Sequence, residues 1–261
     1  MDLIRPDWPA PSRVQAVFTT RLGGVSEGVF AGLNLGAHVD DDPRCVAENR
    51  RQLREQLQLN QEPVWLTQVH GTAVYPVPGL TEAQPAIPPQ ADAAMTRLPG
   101  VPLTVMTADC LPVLFCDQAG SVVATAHAGW RGLCEGVLEQ TVAAMGVSSS
   151  EILAWLGPAI GPSAFEVGDE VRAAFLAQDP AAVEAFVPGS SAPGSSVPGA
   201  SRGKWLADLY RLARQRLNGV GVTQIYGGQH CTFSDPTRFY SYRRDGQTGR
   251  MSGLIWLMAQ N

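Results

Sequence analysis

Two histidines and one cysteine stand where short predicted strands of the 261-residue chain end. Cys110 follows the first, and His127 the third, of three apolar runs between residues 103 and 126, and His70 ends an earlier one. In an antiparallel meander the first and third strands end at the same edge of the sheet, about 10 Å apart. One thiolate and two imidazoles are a ligand set typical of Zn2+, and three protein ligands leave a fourth position for water or substrate. This spacing is the one a catalytic zinc site would need.

The same residue types also have a plainer interpretation. Cysteine is often buried as a small apolar residue, and a histidine at a strand end often only hydrogen-bonds to backbone. Cys116 and Cys134 fit the core in this way. His230 and Cys231 are rival ligands, but adjacent side chains of an extended segment point to opposite faces, so at most one of them can join a site.

A glycine-rich junction follows His127 and leads from a predicted strand into a predicted helix (residues 128–132, AGWRG). Free backbone N–H groups at a helix N-terminus attract anions, and the guanidinium of Arg131 adds a forked cation. The junction therefore predicts an anion site, and the alternative is a tight turn that needs its glycines only for geometry. The glycines of residues 157–162 lack the Gly-Lys-Ser/Thr sequence of a phosphate loop.

Residues 239–246 combine aromatic side chains with two arginines (FYSYRRDG). In a strand, Tyr240 and Tyr242 would face one side, and Ser241 and Arg243 the other. Such a segment could form a stacking and anion-binding wall. The alternative is a solvated hairpin that ends at the Asp-Gly pair.

The elements that must position these residues are read from apolar periodicity and turn residues. Asp42 is the predicted N-cap of the first helix, with Pro43 at its first position. Strands and helices alternate along the chain, which predicts one α/β or α+β domain over residues 1–261, a mixed sheet flanked by helices. The predicted strands are 14–21, 64–69, 73–77, 103–108, 111–116, 121–126, 152–156, 222–226 and 254–258, and the predicted helices are 43–59, 129–145, 168–177 and 206–217.

Two segments have the composition of loops. Residues 78–90 hold four prolines and predict an ordered surface loop. Residues 188–203 are rich in Pro, Gly and Ser with almost no apolar bulk, which predicts a mobile loop. The part of the chain beyond residue 203 carries too few predicted strands for a core of its own, so this loop is placed inside the domain.

Composition excludes several classes of protein. With 45% hydrophobic residues the chain can build a large core, which excludes general disorder. Its formal net charge of −5 predicts no general attraction to nucleic acid or anionic membranes, so any phosphate must be held locally. No apolar stretch is long enough to span a bilayer, and the first residues do not resemble a signal peptide, so we expect a cytoplasmic protein. Five cysteines without a Cys-x-x-Cys pair indicate free thiols.

Taken together, six segments in this order resemble the YfiH family, also called laccase-domain or polyphenol-oxidase-like proteins. The resemblance implies a YfiH-like single α/β domain, in which His70, Cys110 and His127 bind one Zn2+ in a cleft. Cu2+ can act as a substitute, because it outcompetes Zn2+ at most N/O/S sites. The resemblance covers nearly the whole chain. The segments are 19–26 (TTRLGGVS), 33–36 (LNLG), 68–71 (QVHG), 108–112 (ADCLP), 127–132 (HAGWRG) and 240–245 (YSYRRD).

The activity that the resemblance implies is phosphorolysis of adenosine, inosine, guanosine or methylthioadenosine to the base and ribose 1-phosphate, with adenosine deamination as a second activity. The expected partners are a purine nucleoside and phosphate, for a monomer or a small homo-oligomer. Alternatives are a copper-dependent polyphenol oxidase, a factor that edits peptidoglycan precursors, and a zinc-stabilised binding module. Four histidines are too few for the several copper centres of a multicopper laccase, so phosphorolysis ranks first.

Phosphorolysis requires an anion site near C1′ of the ribose and groups that hold the sugar and the base. Arg131 and Arg21 suit the phosphate, and Asn34 and Gln68 suit the sugar or base. We assign catalytic roles to Cys110, Asp109 and Arg131.

Deamination instead requires an acid/base carboxylate beside a metal-activated water. Asp109 and Asp92 are the candidates, and Asp92, Ser241 and Arg243 complete the predicted substrate-binding set. The His-x-Glu and Pro-Cys-x-x-Cys signature of the cytidine-type zinc deaminases is absent from the sequence.

Overall fold

A computed structural model describes residues 1–78, 87–189 and 203–259 and shows a mixed α/β fold. The strands are β1 (Leu3–Ile4), β2 (Val14–Thr19), β3 (Val74–Pro76), β4 (Ala93–Thr96), β5 (Leu103–Thr107), β6 (Leu111–Asp117), β7 (Val123–Ala128), β8 (Ile152–Leu156), β9 (Glu166–Gly168), β10 (Phe186–Pro188), β11 (Lys204–Ala207), β12 (Gln224–Gly227) and β13 (Met251–Leu257). The helices are α1 (Pro43–Gln56), α2 (Trp130–Glu135), α3 (Val137–Met145), α4 (Asp169–Gln178), α5 (Leu209–Gly219) and α6 (Tyr242–Asp245), with short 3-10 turns at Gly28–Phe30, Ser149–Glu151 and Pro180–Ala185.

These strands form three sheets. The largest has six strands in the order β12–β8–β6–β7–β4–β3, and its two outer pairs, β12 with β8 and β3 with β4, are parallel. A four-stranded antiparallel sheet has the order β1–β2–β13–β5, and β10–β11–β9 form a small third sheet. The central strands of the six-stranded sheet, β6 and β7, are buried along their whole length.

The two larger sheets pack against each other and carry helices on their outer faces. Val113 and Phe115 of β6 belong to a core shared with α2, α3, α4 and α5. The alternate residues Leu114 and Cys116 belong to a second core, shared with the four-stranded sheet. A third core joins α1 to the other face of that sheet through residues such as Leu53. Because successive side chains of a strand point to opposite faces, the layers are helices, sheet, sheet and helix.

The structure confirms the predicted mixed fold and most of its elements. The first helix begins at Pro43 as predicted, and a side-chain oxygen of Asp42 accepts the N–H of Arg44 at 2.8 Å. This bond satisfies one of the free donors at the helix start. Among the described residues, no helix is long and apolar enough to cross a bilayer.

The predicted three-strand meander is wrong in its first pairing. β5 pairs with β13 in the four-stranded sheet, whereas β6 pairs with β7 and β8 in the other sheet. The turn at residues 108–110 therefore carries the chain from one sheet to the other. These strands are buried along their whole length, so their sequence pattern does not reveal which of two packed sheets a strand joins. Residues 64–69 are also not a strand, since they make only isolated bridges at Val64 and Thr67.

Three further predicted elements differ from the structure. The predicted helix over residues 129–145 is broken by Gly136, which has a left-handed φ of 103°. Leu206 belongs to strand β11, and α5 begins only after Asp208, its N-cap. Residues 239–246 are not a strand, because residues 239–241 form no strand pairing and the chain then makes the single helical turn α6.

The predicted Pro/Gly/Ser loop at residues 188–203 lies mostly outside the described residues, which omit 190–202. Strands β10 and β11, on either side of it, pair antiparallel, with Phe186 opposite Ala207 and Pro188 opposite Trp205. The segment therefore joins two neighbouring strands. Most of the predicted loop at residues 78–90 also lies outside the described residues, which omit 79–86.

Candidate functional site

The structure brings His70, Cys110 and His127 together, although they lie far apart in the sequence. One ligand atom of each lies within 4.8 Å of the others, and the Cys110 Sγ is 3.8 Å from the His70 Nε2. A tetrahedral Zn2+ with a Zn–S distance of about 2.3 Å and a Zn–N distance of about 2.0 Å holds sulfur and nitrogen about 3.5 Å apart. The donor types and the spacing therefore fit one metal ion of this kind.

The strand register of the six-stranded sheet explains this meeting. In the β6–β7 pair, Pro112 lies opposite His127 and Leu111 opposite Ala128, so Cys110 stands just beyond the start of β6, next to the end of β7. On the other side of β7, the start of β4 lies beside the same end, which places Asp92 next to His127. The site is built at one end of three adjacent strands.

Asp92 holds the two histidine-bearing segments in place. It is fully buried, and its carboxylate accepts the N–H groups of Val69, His70 and Gly71 at 3.1, 2.9 and 2.8 Å and the Nδ1–H of His127 at 2.8 Å. Burial alone would raise the pKa of Asp92, but the hydrogen bond from His127 and those from the backbone lower it. The predicted substrate contact at Asp92 is not supported, because its carboxylate is already occupied.

The hydrogen bond from His127 to Asp92 also determines which ring nitrogen of His127 can bind a metal. Because its Nδ1 donates to Asp92, its Nε2 is the nitrogen left to face Cys110 and a metal, as in other carboxylate–histidine–metal arrangements. We predict that Asp92→Asn lowers the affinity for Zn2+ by about 10- to 100-fold. Competition with a chromophoric chelator would measure it.

Asp117→Asn is the matched control. Asp117 is also a buried carboxylate that accepts backbone N–H groups, those of Ser121 and Val122, but it is not part of the His/Cys/His cluster. The substitution should change stability and leave the affinity for Zn2+ unchanged. Equal affinities in wild type and Asp92→Asn would contradict the positioning role of Asp92.

The metal-free cluster behaves as an ion pair between Cys110 and His127. Burial raises the pKa of the Cys110 thiol, but the charge of His127 and the hydrogen bonds from both histidines outweigh it and bring the pKa to about 6. Burial likewise lowers the pKa of His127, but Cys110 and Asp92 outweigh it and bring the pKa to about 9. Thiolate and imidazolium therefore coexist near neutral pH.

A pH dependence of metal binding follows. Between about pH 6 and 9, Cys110 has already lost its proton while His127 still holds one that a metal must displace. The affinity of the metal-free protein for Zn2+ should therefore rise about tenfold per pH unit in this range. Chelator competition at pH 6.5 and 8.0, corrected for the chelator's own protonation, should show about a 30-fold gain. A flat profile would contradict the ion pair.

Two glycines of the junction after His127 make room for the site. A Cβ at Gly129 would lie 2.7 Å from the His70 Cδ2 and 3.1 Å from the Cys110 Sγ. A Cβ at Gly132 would lie 2.7 Å from the carbonyl oxygen of Gly71. These glycines allow the start of α2 to approach the His70 segment closely, which is a packing requirement.

Asp109, next to Cys110, has a left-handed φ of 101°, which is strained for a residue other than glycine. Its Oδ1 accepts the hydroxyl of Thr232 at 2.6 Å. Its Oδ2 accepts the hydroxyl of Ser241 at 3.0 Å and the N–H of Arg243 at 2.6 Å. The predicted acid/base role of Asp109 is therefore not supported, because both oxygens bind groups of the protein. It ties the C-terminal segment to the candidate metal ligands.

The His/Cys/His cluster opens into a cavity of about 790 Å³ whose described charged side chains are mainly cationic. Three arginines, Arg50, Arg243 and Arg250, line it together with His38, and Asp109 is the one carboxylate among its described lining residues. All three arginines are held by backbone carbonyls, Arg243 by that of Glu166. Arg50 binds that of Leu35 and stacks on the Trp65 ring, and Arg250 binds those of Thr248 and Gly249.

The electrostatics of this wall favour an anion. Burial lowers the pKa of Arg50 to about 10, and burial also lowers the pKa of Arg250, yet both stay charged at neutral pH. Partial desolvation, followed by the charges of Arg250, Arg50 and His127, lowers the pKa of His38. The charge of Glu62 acts on Arg50, and those of Cys110 and Asp109 act on Arg250. Arginines held at fixed positions are a usual means of binding phosphate.

Several predicted substrate residues lie elsewhere. The guanidinium of Arg21 donates to the carbonyls of Pro236 and Ala31, and the buried Asn34 amide binds Gly36, Asp41 and Arg250. Arg131 is exposed at the start of α2, over the Trp130 ring, and is not among the described residues that line the cavity. The structure does not bring these three residues to the site.

Three other predicted residues lie at or beside the cavity. Gln68 lines it, but its amide binds the N–H and carbonyl of Met106 at 2.8 and 2.9 Å. Ser241 is buried against Asp109. Arg243 lines the cavity and donates to the Glu166 carbonyl at 2.8 Å.

The rival ligands stay outside the cluster. The Sγ of Cys231 accepts the N–H of Gly161 at 3.2 Å, and the His230 ring lies 5.8 Å from that of Phe239. Within the described part of the chain, the ligand group therefore contains three residues. A metal held there would keep an open position, as in catalytic sites.

Sequence reasoning missed Arg50, Arg250 and His38. Arg50 looks like an ordinary solvated residue of an amphipathic helix, and Arg250 follows a run of turn residues. Their shared feature, access to one cavity, depends on how α1 packs on the four-stranded sheet. His38 follows the LNLG segment by two residues, and this position was the one sequence feature that pointed to a functional role.

The fold has two packed sheets with outer helices, and its His/Cys/His cluster lies in a cleft at one end of three adjacent strands. This combination is that of a laccase-domain protein. The family model described as multi-copper polyphenol oxidoreductase laccase matches residues 15–258. The chain belongs to this family. Its relatives include proteins named YfiH.

Relatives of the chain are similar over their whole length. It is 57% identical to purine nucleoside phosphorylase PA4543 of Pseudomonas aeruginosa, covering 97% of this chain and 98% of that protein. It is 52% identical to purine nucleoside phosphorylase YfiH of Escherichia coli, covering 98% and 99%. The crystal structure of Neisseria meningitidis protein NMB0706 superposes with a TM-score of 0.89 at 48% identity, covering 99% of this chain and 100% of that one.

Proposed function

We propose that this protein is a zinc-dependent purine nucleoside phosphorylase that converts adenosine, inosine, guanosine or methylthioadenosine and phosphate into the free base and ribose 1-phosphate. The observation that carries the proposal is the single cavity that joins the His/Cys/His cluster to fixed arginines. The names of the relatives support the same reaction class.

Phosphate is assigned to Arg50, Arg250 and His38. Their fixed cations can bind two or three oxygens of one phosphate, and His38, with its lowered pKa, can donate an N–H without adding charge. This assignment replaces Arg131 and Arg21, which the structure leaves outside the cavity. Holding the phosphate in place lowers the entropic cost of its attack on the sugar.

The nucleoside is assigned to the remaining walls. Trp65, Met106, Ile160 and Phe165 supply apolar surface for a base and a sugar. A phosphate oxygen then forms a bond to C1′ of the ribose as the bond from C1′ to the purine nitrogen breaks. The proton of hydrogen phosphate balances the departing base, so the reaction needs no other reactant.

His70, Cys110 and His127 are proposed to hold Zn2+, and the thiolate in the set favours zinc over Mg2+ or Ca2+. When bound, Zn2+ supplies a Lewis acid that polarises an oxygen of a ligand and lowers the pKa of bound water. The protein orients His127 through its hydrogen bond to Asp92, and among the described residues it offers no fourth side chain to the metal. Cu2+ can compete for the same ligands.

Phenol oxidation by several copper centres is not favoured. Two of the four histidines join the cluster, and His230 lies outside the cavity. Adenosine deamination lacks a free carboxylate in the described lining of the cavity, because Asp109 is occupied. It is therefore kept as an outcome of the test.

The experiment is chromatography of zinc-loaded protein with adenosine or inosine, with and without phosphate. Adenine from adenosine and hypoxanthine from inosine should appear only with phosphate. Inosine formed from adenosine without phosphate would establish deamination instead. A parallel assay with a phenol and Cu2+ covers oxidation, and turnover there alone would overturn the proposal.

A further inference from the structure

One large aromatic side chain at the cavity has little packing in the protein. Tyr242 lines the cavity, yet 61% of its surface is exposed, whereas Tyr240, two residues earlier, is fully buried. Exposing a ring of this size forgoes the stabilisation that its burial would give. A ligand that covers the ring would recover it.

The backbone that carries Tyr242 is held on both sides by Asp109. The carboxylate binds the hydroxyl of Ser241, immediately before the tyrosine, and the N–H of Arg243, immediately after it. Because Asp109 precedes Cys110, these bonds fix the tyrosine relative to a candidate metal ligand. The strained φ of Asp109 is maintained within the same contacts.

Further bonds hold the same helical turn from its other end. The guanidinium of Arg244 donates to the carbonyls of Thr232, Phe233 and Phe239 at 2.8, 3.0 and 2.9 Å. An exposed side chain on a flexible loop needs no such anchoring. Here an exposed ring stands on a backbone that is fixed by bonds to both Asp109 and Arg244.

The position of the ring relative to the cations fits a nucleoside. The guanidinium of Arg250, assigned above to phosphate, lies 5.9 Å from the Tyr242 ring centroid. In phosphorolysis the base, the sugar and the attacking phosphate form a row. The ring and the arginine line the same cavity, so a base against the ring and a phosphate against the arginine would be neighbours.

We propose that Tyr242 is a stacking platform for the purine base and that Asp109 is the positioning residue that fixes this platform relative to Cys110. The inference rests on the proposed function for the identity of the ligand. A flat heteroaromatic base is the ligand class that an exposed ring accepts best, because every base offers a π-face.

The test measures binding of inosine to zinc-loaded protein without phosphate, by equilibrium dialysis, and then KM values with phosphate present. Tyr242→Ala should weaken inosine binding about 10-fold. The zinc content and the KM for phosphate should stay as in wild type. Tyr242→Phe and Tyr242→Trp keep a ring and should bind inosine within about twofold of wild type.

Val29→Ala is the control for removal of an exposed apolar side chain, since Val29 is 54% exposed and is not among the described residues of the cavity. It should bind inosine like wild type. Wild-type binding by Tyr242→Ala would overturn the platform, whatever the turnover. Binding without turnover in the wild type would instead overturn the phosphorylase and leave the platform standing. A wild type that binds no inosine would overturn both.

A double-mutant cycle tests the role of Asp109. Asp109→Asn should weaken inosine binding in the wild-type background and have little further effect in Tyr242→Ala, because both changes remove the same interaction. Ser241→Ala removes one of the two anchoring bonds and serves if Asp109→Asn does not fold. Equal effects in both backgrounds, together with lost zinc, would show that Asp109 acts on the metal ligands instead.

Discussion

Replacing Cys110 with alanine is expected to remove the bound zinc and to lower kcat/KM for inosine by at least about 100-fold, in the same preparation. The thiolate is the one sulfur ligand of the cluster, and its loss leaves two imidazoles, one of them exposed to solvent. The zinc content by elemental analysis and the phosphorolysis rate should fall together. Adding excess Zn2+ should restore little activity.

The control is Cys45→Ala, because Cys45 is a free, half-buried cysteine on α1 that does not line the cavity. It should keep both zinc and activity. Full activity in a zinc-free Cys110→Ala protein would remove the metal from the mechanism. Retained zinc with lost activity would show that Cys110 acts on the substrate directly.

Replacing Arg250 with alanine is expected to raise the KM for phosphate by about 10- to 100-fold and to change the KM for inosine much less. A charge-assisted hydrogen bond that is lost to a bound anion costs this much, and the nucleoside has no charge to lose. Initial rates over a matrix of phosphate and inosine concentrations separate the two constants.

Two further variants locate the anion site. Arg250→Lys keeps the charge but loses the planar fork, so its KM for phosphate should lie between wild type and Arg250→Ala. Arg131→Ala removes the exposed arginine of α2 and should leave the KM for phosphate unchanged. A larger rise in the KM for phosphate in Arg131→Ala than in Arg250→Ala would place the phosphate site at the start of α2.

The sequence was sufficient to predict the mixed fold, and it singled out the three residues that the structure gathers into the cluster. His70, Cys110 and His127 each stand at the end of an apolar run, and this local signal does not depend on knowing the sheets. The geometric reason was partly mistaken, since β5 lies in a different sheet from β6. The register of β6 with β7 brings Cys110 and His127 together without it.

The roles of the polar neighbours could not be predicted in the same way. An aspartate beside a ligand has the same residue type whether its carboxylate faces a substrate or binds its own backbone. Asp92 and Asp109 do the latter, through contacts with residues up to 134 positions away. Arg50 and Arg250 show the opposite case: nothing in their local sequence indicates a functional role, yet the packing of distant elements brings them to the cavity. Long-range packing, which local patterns do not contain, decides both cases.

The most direct test of phosphorolysis at the His/Cys/His cavity is 31P NMR of inosine and phosphate with metal-stripped protein, before and after addition of one equivalent of Zn2+. Ribose 1-phosphate should appear only after zinc is added, in amounts equal to the hypoxanthine released. Hypoxanthine formed without ribose 1-phosphate would mean hydrolysis. An equal rate in the stripped protein would contradict the proposed role of the cluster.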